Sequence, residues 1–72
     1  MEAVSGVVTI VQESRFQLVD GQGVAHLFDL HHSAPAEPDQ LPTLLRKRVR
    51  VSYTRSPGLI CHSARQIRVL EA

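Results

Sequence analysis

The chain has no tryptophan, one tyrosine, two phenylalanines and a single cysteine among its 72 residues. One cysteine cannot close an internal disulfide, so Cys61 excludes the stapled scaffold that often supports a domain this small. The longest uncharged stretch, residues 3–12, is half of what a membrane-spanning helix needs. No basic segment followed by an apolar core and a small-residue cleavage site opens the chain. These shortages point to a soluble, cytoplasmic protein of a reducing compartment. Signatures of catalysis are missing too: no Gly-x-Ser-x-Gly, no Walker A loop, no Gly-x-Gly-x-x-Gly and no carboxylate pair that spacing alone identifies. Cys61 and His62 are neighbours, but a nucleophile needs its base across space, a cleft and oxyanion donors. The expectation is a non-enzymatic protein with no cofactor.

What is present reads as one domain spanning residues 1–72, at 43% hydrophobic and 21% charged residues. Residues 4–12 are rich in β-branched side chains and predict a strand, with Val4, Gly6, Val8 and Ile10 on one face and Val7, Thr9 and Val11 on the other. Residues 15–19 predict a second strand, with Phe16 and Leu18 pointing together. Asp20-Gly21-Gln22-Gly23 is the clearest turn, because its glycines accept positive φ without steric cost. Residues 24–30 predict a third strand. Its better core face carries Val24, His26, Phe28 and Leu30; the opposite register would expose His26 and Phe28 as a stacking pair.

Residues 31–38 form an irregular connection with two prolines, and Asp39 is placed to cap a short helix carrying Leu41, Leu44 and Leu45. Residues 48–55 alternate, Val49, Val51 and Tyr53 inward against Arg48, Arg50, Ser52 and Thr54 outward. Ser56-Pro57-Gly58 is a turn, and residues 59–70 give a last strand, irregular at its start, with Ile67 and Val69 inward. The order strand, strand, strand, helix, strand, strand predicts an all-β, five-stranded OB-fold barrel, its three leucines plugging the open end. An SH3-like small barrel is the alternative.

Element order, length and the hairpin Arg15-Phe16-Gln17-Leu18-Val19-Asp20-Gly21-Gln22-Gly23 resemble the small bacterial OB-fold proteins of the translation initiation factor one and S1-domain type. The likeness covers nearly the whole chain and rests on pattern rather than on a signature motif. It implies a ligand cleft made by strands two and three with the loops after strands one and four. The chain departs from the translation factors in being far less basic overall, with a net charge of +1.

That net charge hides a segregation. Residues 1–40 hold six acids against Arg15, whereas residues 41–72 hold seven bases against Glu71. If Val51 pairs with Ile67, Arg50 faces Arg68 across the last hairpin. Like charges so placed destabilise a sheet by tenths of a kcal/mol, as a rough measure. Arg48, Arg50, Arg65 and Arg68, with Lys47, Arg55 and Arg46 at the rim, then form a basic surface suited to phosphate. The competing reading is that Glu13, Asp20 or Glu71 folds back to neutralise it. The expected ligand is single-stranded nucleic acid or RNA, with His26 and Phe28 helping only if exposed. A protein-interaction module or accessory subunit without nucleic-acid affinity is the alternative. His26, His31, His32, Cys61 and His62 are acceptable metal ligands, but no metal-binding spacing joins them, and no metal is expected.

Overall fold

A computed structural model gives the fold, described for residues 2–34, 38–55, 58 and 61–70. Five strands and one 3₁₀ helix follow in the order β1 (Glu2–Gln12), β2 (Arg15–Asp20), β3 (Ala25–Leu30), the helix (Pro38–Leu44), β4 (Arg48–Thr54) and β5 (His62–Val69). The strands close into a barrel in the order β1-β2-β3-β5-β4, which leaves no open sheet edge for the chain to shield. β1 is long enough to pair antiparallel with β2 on one side and β4 on the other. The one parallel contact sets Phe28 of β3 opposite His62 of β5, and the helix lies in the connection between β3 and β4. This is the expected all-β barrel with a single short helix between strands three and four.

The β2–β3 hairpin forms where the Asp-Gly-Gln-Gly run predicts it. The Asp20 carboxylate accepts the backbone N–H groups of Gln22 at 2.9 Å and Val24 at 3.0 Å, and Gly23 takes a φ of 81°. The core is Val8, Phe16, Leu18, Phe28, Leu41, Val49, Val51, Tyr53 and Ala64, so the inward residues of β2 and β4 are as alternation predicts. Phe28 sits at its centre, 5.4 Å from the Phe16 ring and 5.1 Å from the Tyr53 ring. At Gly6 the strands approach so closely that a Cβ would lie 2.3 Å from the Val19 carbonyl oxygen.

Several expectations fail locally. A bulge between Val8 and Ile10 shifts the register of β1, turning Ile10 out to 52% exposure and packing Val11 against the core. The helix is a short 3₁₀ helix, with Pro42, which has no N–H to donate, inside it. Leu41 is buried and Leu44 packs beneath it, but Leu45 is exposed, since the chain leaves the helix there and Arg46 turns with a φ of 66°. Val24 falls in the hairpin turn and is exposed, not core. A second irregularity pairs Tyr53 with Ala64 and Ser52 with Gln66, so Arg65 is the extra residue. Ala64 and Ile67 therefore face the core while Val69, the last residue of β5, is exposed. Ser56, Pro57, Leu59 and Ile60, part of the expected turn and strand start, lie outside the described residues. Among those described, no helix is long and apolar enough to cross a membrane.

Candidate nucleic-acid interface

The alternation that buries Val49, Val51 and Tyr53 necessarily sends Arg48 and Arg50 to the outer face of β4. Across β5, Arg50 stands directly opposite Arg68, and Val51 opposite Ile67, as the hairpin register predicts. On the other side, Arg50 neighbours Ser5 and Arg48 neighbours Val7 of β1. Two backbone bonds, Arg46 N–H to the Val8 carbonyl at 2.7 Å and Val8 N–H to the Lys47 carbonyl at 3.1 Å, pin Arg46 and Lys47 beside the same strand. Arg46, Lys47, Arg48, Arg50 and Arg68 are all exposed. Among the described residues no carboxylate pairs with any of the five.

Among the described acids that could neutralise them, Asp20 and Asp29 are engaged elsewhere. Asp20 borders a shallow depression of about 290 Å³ that Arg48 also lines, yet its carboxylate is held by His26 Nε2 at 2.9 Å and by the two turn amides. The His26 hydrogen bond, with those amides, keeps Asp20 below the usual carboxylate range. Asp29 accepts from Ser14 Oγ at 3.0 Å. Glu13 sits in the β1–β2 turn with a φ of 55°, and Glu71 lies outside the described residues.

The remaining expected site residues do not join this face. Arg55 makes a two-pronged ion pair with Glu2, which lowers the Glu2 pKa and raises that of Arg55. Arg65, displaced by its bulge, points Nε at Thr54 Oγ1 and Nη1 at His31 Nδ1, each at 3.3 Å. Phe28 is wholly buried, and His26 lies half-buried with its ring stacked 6.4 Å from it. They form no exposed stacking pair. Arg46, which the sequence puts on the same side or its rim, is part of the cluster because its turn docks on β1.

The other histidines occupy separate places. His31 and His32 have left the strand and their rings lie 4.2 Å apart. His31 Nδ1 accepts the Ser33 N–H at 3.1 Å, and desolvation, followed by the charges of Arg65 and His32, lowers its pKa. His62 stacks on the Tyr53 ring at 5.4 Å, and the parallel register sets it beside Phe28 rather than His26. Among the described residues, no three His, Cys, Asp or Glu side chains converge on a point that could hold a metal.

The outer face of β1–β2–β3, which includes strands two and three of the cleft that the resemblance implies, carries the cross-strand row Ile10, Gln17 and Leu27. With Gln12, Arg15, Phe16 and Cys61 these residues line a groove of about 380 Å³. Sequence reading missed it because the β1 bulge, not alternation, brings Ile10 outward. Compared with known protein families, with curated proteins and with solved structures, the chain has no match in any of the three.

Proposed function

We propose that this barrel is a small non-enzymatic binding module of the cytoplasm that holds nucleic acid, single-stranded or RNA, by its phosphate backbone on the outer face of β4 and β5. One observation carries the reading: Arg50 stands opposite Arg68, with Arg48 beside them, and no described acid pairs with these cations. A sheet that keeps like charges opposed sacrifices a little stability, and an anionic partner removes that cost. The likeness to small bacterial OB-fold proteins supports a nucleic-acid ligand, although the cleft it implies lies on strands two and three and not on this face.

The test is binding of a labelled RNA by fluorescence anisotropy at low and moderate salt. The Arg48→Ala/Arg50→Ala double variant, altered only at exposed positions, is expected to lose most of the affinity, and wild-type binding to fall steeply with salt. Affinity unchanged in that variant would contradict the proposal.

A second reading has its own observation. Ile10 and Leu27, 52% and 39% exposed, flank Gln17 on the outer face of β1–β2–β3 and suit a protein partner better than a base. That reading expects no oligonucleotide affinity and loss of a protein partner in an Ile10→Ser/Leu27→Ser variant.

A further inference from the structure

Every benzene-type ring in the chain lies inside the barrel: Phe16 is 2%, Phe28 0% and Tyr53 8% exposed. With no tryptophan in the sequence, the outer surface has no large ring on which an unpaired base can stack. Of the imidazoles, His26 is held by Asp20, His31 by Ser33 and His62 against Tyr53, while His32 stacks on His31 in the loop after β3. On the basic face the side chains between the cations are Ser5, Val7, Ser52 and Gln66. Proteins that grip single strands combine a basic groove with aromatic stacking platforms, and this face has guanidinium groups but no ring.

Resting on the phosphate-binding reading above, we infer that the ligand of this face is paired nucleic acid, its bases unread and its duplex backbone contacted by Arg48, Arg50 and Arg68 with Arg46 and Lys47. A duplex needs no platform, because its bases are already stacked on one another. It carries twice the charge per unit of axis that one strand does, about one charge per 1.7 Å against one per 3.4 Å. It is also ordered before it binds, so docking fixes no flexible chain. The cations themselves are spread in two dimensions. Arg48 and Arg50 lie two residues apart along β4, about 6.6–6.8 Å, while Arg68 lies one strand over, about 5 Å from Arg50. A flat cluster of that shape meets the two-stranded surface of a duplex better than the single line of one backbone. Among the described residues no recognition helix stands beside it to read base edges, so binding is independent of sequence.

The experiment compares three labelled probes with equal numbers of phosphates: an RNA hairpin, a DNA hairpin of matching sequence and unstructured polyuridine. Anisotropy titrations run at several salt concentrations on the whole chain and on the Arg48→Ala/Arg68→Ala variant, with circular dichroism checking that the variant is folded. Both hairpins are expected to bind at least fivefold tighter than polyuridine. The hairpin slope of log affinity on log salt is expected near −2.7 to −3.6, about 0.9 per phosphate for three to four contacts. The variant is expected to lose at least tenfold. Polyuridine binding within fivefold of the hairpins, or more tightly, overturns the inference and leaves the phosphate reading standing. Binding to none of the three overturns the phosphate reading and this inference together. Hairpin affinity unaffected in a folded variant places the site elsewhere and overturns both.

Discussion

Truncating Phe28 to alanine removes a fully buried ring that touches both Phe16 and Tyr53. The expected loss is about 3–5 kcal/mol, read from urea unfolding, enough to threaten a domain of this size. A Phe28→Ala variant of unchanged stability would mean that the ring is not core. His31 supplies the pH dependence. Desolvation, Arg65 and His32 hold its folded pKa below the ordinary 6.5, so the unfolded chain takes up the proton first. Stability is therefore full above about pH 6.5 and declines as pH falls through the lower folded value. Melting temperature is expected to fall between pH 7 and 5, and His31→Asn, which keeps an acceptor for Ser33, to flatten that fall. An equal fall in the variant would assign the effect to other groups. Asp20 acts in the same direction at lower pH, since its folded value lies below 3.8 and its contribution fades as acid protonates it. Phe28 as core was legible from the period of two in β3. The Asp20–His26 bond was not, because it spans a hairpin whose closure alone makes the two meet.

The order of elements along the chain, the β2–β3 turn and the inward face of β4 could be read from the sequence because each depends on neighbours in sequence. The two bulges could not. An extra residue in β1 or β5 is defined by the partner strand, and nothing local to Val8–Ile10 or to Arg65 announces it. Simple alternation treats Val8 and Ile10 as equivalent, and the structure does not. Val8→Thr buries a hydroxyl where Val8 is fully enclosed and is expected to cost about 1–3 kcal/mol, whereas Ile10→Thr at an exposed position is expected to stay within about 0.5 kcal/mol. Thermal or urea unfolding of the two variants checks the register directly. Equal losses would place both residues on one face and remove the bulge. The 3₁₀ helix belongs with these misses: leucine spacing predicted Leu41 and Leu44 as buried or partly buried, but the helix ends at Leu44 and leaves Leu45 outside.

Across the whole molecule, the acid-rich first half supplies β1, β2 and β3 and the base-rich second half supplies β4 and β5. Closure of the barrel lays β1 against β4 and so had the means to neutralise the arginines. It does so at Arg55, through Glu2, but the outward β1 neighbours of Arg48 and Arg50 are Val7 and Ser5. Segregated charge was visible in the sequence; which of it stays unpaired depended on the β1–β4 register. Ser5→Glu tests this, setting a carboxylate opposite Arg50. It is expected to raise stability by about 0.2–1 kcal/mol in urea unfolding and to weaken RNA binding. Unchanged RNA affinity in that variant would speak against the arginine face.

The most direct test of that face is an amide chemical-shift titration of the whole chain with an RNA hairpin at low and moderate salt. The account predicts shifts at residues 46–50, 5–7 and 66–70 that diminish as salt rises. A flat titration at low salt, or salt-insensitive shifts centred on Ile10, Gln17 and Leu27, would contradict it.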